Sequence, residues 1–228
     1  MAPALEAGNA DEDDIVTEAD LRGQIVDVMR QMEARGLNRG TSGNVSARLE
    51  GGLLITPTGV PAGALTAASI VFVDSGGAIA PSQLRPSSEW MMHAGLYDRR
   101  PDVSAVVHCH SRHATILACA GKPIPSLHYM VCVSGKAQVP LAPYRLFGTL
   151  ALAEVVAEAM EGGYACLMAN HGLIAAADTL SRALAIAEEI EEQAAVYCGC
   201  LAIGGPNLLS EARMAEVMAR FSTYGQTR

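Results

Sequence analysis

His108 and His110, in the run Ala105-Val-Val-His-Cys-His110, are the residues whose types and spacing point most directly to chemistry in this chain of 228 residues. A β-strand sends alternate side chains to one face, so the two imidazoles converge while Cys109 points away. Val106 and Val107 are β-branched and favour that strand. Two imidazoles on one strand face, about 7 Å apart at the backbone, can close on a single metal ion. His171 follows the apolar run Ala165-Cys-Leu-Met-Ala169, stands just before Gly172 and offers a third ligand. Three histidines around an open coordination position form a catalytic rather than a structural zinc pattern. Taken alone, the same residues also describe two core histidines and one loop histidine.

Ser87-Ser88-Glu89 is a second constellation. Two hydroxyls at a helix start, backed by free N–H groups, suit a phosphate or a carboxylate. Glu89 beside them is placed for proton transfer. A plain capping arrangement, serine plus early acid, has the same spelling. The Gly43-Asn44 and Thr58-Gly59 turns supply small residues with exposed N–H groups, the makings of an anion nest. His128-Tyr129 falls in a loop after Pro123 and Pro125. His93 and His113 fall on helices, out of step with the strand pair, and read as structural or surface residues.

The elements that must position these groups follow from the pattern. Helices are expected at Glu18 to about Arg35 (capped by Thr17, with Asp20 in its first turn and stopped by Gly36), Ser88–Tyr97 (capped by Ser87), Arg112–Ala120, Leu150–Glu161, Leu180–Ala202 and Glu211–Phe221. Strands are expected at Val45–Leu49, Leu53–Thr56, Ile70–Val73, through His108, at Lys136–Leu141, Ala165–Ala169 and Leu173–Ala176. Strands in runs with flanking helices imply one α/β domain, an α/β/α layered arrangement around a mainly antiparallel sheet. Half of the residues are hydrophobic, enough for one sizeable core.

The net charge of −8 argues against a nucleic-acid or anionic-membrane surface, and a phosphorylated substrate then needs a local anion site. Residues 1–16, with Asp11-Glu-Asp-Asp14, read as a disordered acidic tail, leaving 17–228 as the folded domain. That start lacks the basic and apolar regions of a secretion signal, and no apolar run reaches membrane-spanning length. The six cysteines (109, 119, 132, 166, 198, 200) show neither C-x-x-C nor disulfide-framework spacing. A cytoplasmic setting with reduced thiols is expected.

The order of motifs is more specific than any one of them. The chain reads G-L-N-R-G-T-S-G-N-V-S, L-I-T-P-T-G, P-S-S-E-W, V-V-H-C-H, L-H-Y-M and N-H-G-L-I. It resembles the class II aldolase/adducin family from Leu21 to Gly225, most closely the L-fuculose-1-phosphate aldolase branch. The resemblance implies that His108, His110 and His171 bind a divalent metal, usually zinc, with manganese, cobalt or iron as other candidates. It implies that Glu89 is the catalytic acid/base and also ligates the metal when no substrate is bound. Gly43, Asn44, Thr58, Gly59, Ser87 and Ser88 match phosphate-binding positions. Tyr129 matches a catalytic tyrosine that reaches a neighbouring subunit's active site in a cyclic homotetramer, and Tyr224 a mobile tyrosine that covers the substrate.

What the resemblance implies is therefore metal-dependent cleavage of a ketose 1-phosphate to dihydroxyacetone phosphate and an aldehyde. Asn170 stands where the fuculose-phosphate enzyme carries a second histidine, and the tail after Tyr224 is short. Relatives acting on 5-deoxyribulose 1-phosphate or 5-methylthioribulose 1-phosphate are thus the alternative, followed by the epimerase and dehydratase branches. Glu89 favours the aldolase side over the epimerase branch, which places an aspartate there. The adducin-like, non-catalytic reading predicts loss of the histidines, and all three are present.

Overall fold

The computed structural model describes residues 16–221; the acidic head up to residue 15 and Tyr224 lie outside the described residues. The first helix, α1 (Glu18–Ala34), starts where Thr17 and Asp20 exchange side-chain bonds with each other's backbone N–H in a capping box. Strands β1 (Asn44–Leu49), β2 (Gly52–Ile55) and β3 (Val71–Asp74) follow, then α2 (Trp90–Arg99), β4 (Ala105–Cys109) and α3 (Arg112–Cys119). The rest is β5 (Leu141–Ala142), α4 (Leu150–Ala159), β6 (Ala165–Met168), β7 (Gly172–Ala177), α5 (Leu180–Ala202) and α6 (Glu211–Phe221).

One seven-stranded sheet takes the order β3-β2-β1-β4-β7-β6-β5. Every pairing is antiparallel except β5 with β6. Apolar side chains fill both faces. Val45, Ala47, Ala105, Val107, Cys109 and Leu173 pack with α1, α3 and α5, while Ile55, Val106, Cys166, Ile174 and Ala176 pack with α2 and α4. Burial on both sides explains why the central strands read as continuous apolar runs rather than as alternation. The layered α/β/α arrangement expected from the pattern is the one observed.

Two boundaries are corrected. The helix expected at Ser88 begins at Trp90, Glu89 itself is its N-cap residue, and Ser87 provides no side-chain cap. The cause lies just upstream: Pro86 bridges to Pro57, and Ser87 N–H bonds to Thr56 O, so the chain stays extended two residues longer. The strand expected at Lys136–Leu141 shrinks to Leu141–Ala142, preceded by a single bridge between Val139 and Ile124. Pro140 between them has no N–H to donate and interrupts the ladder. His128-Tyr129 opens a short 3-10 helix, Tyr129–Ser134, instead of a loop. Among the described residues, no helix is long and apolar enough to cross a membrane.

Candidate active site

The centre of the sheet delivers the histidines. His108 sits on β4 with its ring on the α2 face, and Cys109 turns into the opposite core, where burial pushes its thiol up to about 12. His110 continues just past the strand. His171 sits in the tight turn between β6 and β7, which pairs with β4 from Leu173 onward. That turn works because Asn170 adopts φ 55°, the left-handed conformation that asparagine tolerates better than most residues. Gly172 beside it has no alternative: a Cβ there would stand 2.5 Å from Cys109 O and 3.0 Å from the His110 ring.

The three rings meet edge to face with centroids 4.8–5.0 Å apart, and Glu89 closes the group. One ligand atom from each of Glu89, His108, His110 and His171 can be chosen so that all four lie within 4.8 Å of one another. His108 Nε2 is 3.1 Å from His110 Nε2 and 3.2 Å from Glu89 Oε2, and His171 Nε2 is 3.1 Å from Glu89 Oε1. Four ligands at zinc bond lengths of about 2.0–2.2 Å would stand about 3.3 Å apart at the corners of a tetrahedron.

The donor set fits a divalent cation on electrostatic grounds as well. Leu173 O accepts from His108 Nδ1 at 2.9 Å, which orients the ring with its Nε2 toward Glu89 and His110. With its imidazoles neutral, such a group offers three nitrogen lone pairs and a carboxylate to one divalent cation. Glu89 Oε1 is buried and makes no well-directed hydrogen bond, even to the nearby His171. Burial pushes the Glu89 carboxyl upward, but the charge and hydrogen bonding of His108, with His171 behind it, prevail and hold it well below the usual carboxylate range. Burial, then the charges of His108 and His171, push His110 down to about 4, so its lone pair is free at ordinary pH.

The remaining expected residues divide into groups. The Gly43-Asn44, Thr58-Gly59 and Ser87-Ser88 segments are laced side by side: Thr56 N–H bonds to Val45 O, Ser87 N–H to Thr56 O, and Thr58 N–H to Arg85 O. Thr58, Gly59 and Ser88 are exposed along this edge, and Ser87 is buried. Asn44 is buried with both polar side-chain atoms engaged, its Nδ2 donating to Glu89 Oε2 at 3.0 Å and its Oδ1 meeting His93 Nε2 at 2.5 Å. Gly43 has φ 74° and lies so close to the Asn38 amide that any Cβ would overlap it. Tyr129 is not brought to this chain's cluster; it is half-exposed and lines a separate apolar groove with Val217.

Three contributors escaped the sequence reading. A cleft of about 340 Å³ opens over the cluster, lined by Ser88, Glu89, His110, Asn170 and His171 and rimmed by Tyr144, Arg145 and Phe147. The rim comes from an irregular segment before α4, and only its mixture of aromatic and basic residues hinted at it. Asn38 is buried, and its Oδ1 accepts from His110 N–H at 3.3 Å. His93 is fully buried behind Asn44, where burial and the neighbouring charge of His108 lower it to about 3.

Residues 23–198 match the family described as Class II Aldolase and Adducin N-terminal domain. A 5-methylthioribulose-1-phosphate/5-deoxyribulose-1-phosphate aldolase of Rhodospirillum rubrum is 46% identical over 205 residues, covering 90% of this chain and 92% of that protein. An L-fuculose phosphate aldolase of Escherichia coli is 46% identical over 206 residues, covering 90% of this chain and 95% of that protein. The solved structure of an L-fuculose 1-phosphate aldolase superposes with a TM-score of 0.86 at 36% identity, covering 89% of this chain and 96% of that one.

Proposed function

The chain belongs to the class II aldolase and adducin family, and we propose that it reversibly cleaves a ketose 1-phosphate of the L-fuculose 1-phosphate type to dihydroxyacetone phosphate and an aldehyde. The observation that carries this reading is the convergence of Glu89 with His108, His110 and His171 at the floor of a cleft. The three imidazoles would hold a divalent cation, zinc first, which supplies the positive charge that stabilises the enediolate half of the sugar as the C3–C4 bond breaks.

Glu89 is the proton carrier. Asn44 holds its Oε2, while Oε1, with His171 Nε2 at 3.1 Å, is not held by Asn44 and is the oxygen left to exchange a proton at C3 of dihydroxyacetone phosphate. The laced turns with Gly43, Asn44, Thr58, Gly59, Ser87 and Ser88 form the anion site that fixes the phosphate, converting remote binding into orientation at the reacting carbon. Asn44 would contribute there through its backbone, because both polar atoms of its amide are engaged. Tyr129 serves the aldehyde oxygen of a neighbouring subunit's site in a homotetramer. Its exposure and its place in a groove other than its own chain's cleft support that role. Tyr224 covers the substrate, and residues 17–228 form one catalytic domain working in the cytoplasm.

A second reading of the substrate has its own support. Tyr144 and Phe147 present exposed aromatic surface at the rim, and Asn170 lines the cleft beside His171. The aromatic part of this rim, beside Arg145, suits the less polar tail of 5-deoxyribulose 1-phosphate or 5-methylthioribulose 1-phosphate. Release of dihydroxyacetone phosphate from these two and from L-fuculose 1-phosphate, with zinc and after chelation, tests both. The expected result is chelator-sensitive release, with the kcat/KM ratio naming the preferred aldehyde. Metal-replete protein that releases it from none of the three sinks the aldolase reading.

A further inference from the structure

Behind Glu89 a file of buried polar groups runs away from the site between α2 and β1. Glu89, His93 and Tyr97 are four residues apart along one helical face, and Asn44 and Ser46 are two apart on one strand face. The repeats match, because four helical residues advance about 6 Å and two strand residues about 6.7 Å. The side chains therefore interleave. Asn44 Nδ2 reaches Glu89 Oε2 at 3.0 Å, Asn44 Oδ1 reaches His93 Nε2 at 2.5 Å, His93 Nδ1 reaches Ser46 Oγ at 2.7 Å, and Ser46 Oγ reaches Tyr97 Oη at 2.6 Å. Asn44, Ser46, His93 and Tyr97 are all buried.

Only one arrangement of hydrogens satisfies this file. The carboxylate accepts only, so the Asn44 amide must turn its NH2 to Glu89 and its oxygen to His93. His93 must then carry its hydrogen on Nε2, and its bare Nδ1 accepts from the Ser46 hydroxyl. The Ser46 oxygen in turn accepts from Tyr97. Each donor points toward Glu89, and reversing any one bond leaves a buried group unpaired, at a cost of about 1–3 kcal/mol.

We propose that His93 is a positioning residue that, through Asn44, locks Glu89 with Oε2 as the held oxygen and Oε1 as the proton-carrying one, with Ser46 and Tyr97 selecting the tautomer of His93 that allows it. The inference rests on the role given to Glu89 above. It uses no contact with substrate and needs no ligand from His93. Its consequence is a fixed carboxylate rather than a stronger metal site, so the expected loss falls on kcat.

The test compares His93→Phe, which keeps the ring and removes both nitrogens, with His93→Gln, which restores a donor to Asn44, and with Ser46→Ala, which frees the tautomer. All are examined as zinc-loaded protein. Solvent-proton exchange on dihydroxyacetone phosphate should fall about 10- to 100-fold in His93→Phe, with KM within about twofold and metal content unchanged. His93→Gln should recover most of the rate, and Ser46→Ala should lie between. Crystals of His93→Phe should show the Asn44 amide turned and the Glu89 carboxylate displaced. Wild-type kcat in folded, metal-replete His93→Phe, with Asn44 and Glu89 unmoved, overturns the inference. If His93→Phe does not fold, an unaltered rate in Ser46→Ala does the same. Glu89→Gln separates the two layers: exchange surviving in that variant refutes the role of Glu89 itself, whatever the His93 variants do.

Discussion

At His110, burial and two neighbouring imidazoles keep the ring neutral, and Asn38 ties down the backbone behind it. The ring shares the centre with His108 and His171 on comparable terms, so its removal leaves two imidazoles and a carboxylate. On the proposed ligand role, His110→Ala should weaken binding of a divalent cation by more than the roughly 10- to 100-fold typical of losing an outer-shell partner, because that role puts the ring in direct contact with the ion. Competition with a chelating dye measures this directly; wild-type affinity would remove His110 from the ligand set. The histidines were legible in the sequence because strand alternation places His108 and His110 together by spacing alone. Asn44 was legible only as a residue of the phosphate turn, not as the group that holds Glu89, and His93 only as a structural or surface histidine. A buried asparagine looks like any turn residue and a helical histidine like any surface residue until both partners are known.

At the scale of elements, the site depends on how closely β7 approaches β4. Gly172 lies directly against Cys109 O and the His110 ring, at distances no Cβ tolerates. Gly172→Ala must therefore push the two strands apart where His110 and His171 meet. The expected outcome is a destabilisation of about 1–3 kcal/mol, as for other overpacked cores, together with weakened metal binding. Urea melts and metal titration on the same variant check it, and unchanged values for both would show that the strands separate freely. The sequence located β4, β6, β7 and α5 well, since long apolar runs leave little choice. It misplaced the start of α2 because the bridge between Pro57 and Pro86 is a contact between distant segments that no local signal encodes.

At the scale of the whole molecule, burying neutral histidines couples the fold to pH. His93 lies near 3 in the folded chain, below its ordinary value of 6.5, so between those values the unfolded chain binds a proton that the native one refuses. Its contribution is fully present above about pH 6.5 and is lost as pH falls toward 3. His110 acts in the same direction and His108, raised by Glu89 against the opposing effect of burial, acts in the other. In metal-free protein, His93→Gln should therefore flatten the stability–pH slope between pH 6.5 and 4.5 by up to about 1.4 kcal/mol per unit. Urea melts at pH 7, 6 and 5 measure the slope, and identical slopes in the two proteins would show that His93 takes up its proton while folded.

The amino-acid sequence by itself determined the layered α/β architecture and the placing of His108 and His110 two apart on one strand pattern, because periodicity and spacing act over a few residues and survive without a partner; His171 and Glu89 joined them as candidates through the order of motifs that resembles the family. Tertiary structure alone decided what surrounds them: which carboxylate oxygen Asn44 holds, that His93 and Ser46 stand behind it, that Tyr144, Arg145 and Phe147 rim the cleft, and that Tyr129 lines a groove other than that cleft. Each of these is a meeting between segments tens of residues apart. Such a meeting is set by how the helices seat on the sheet, which depends on the whole core at once.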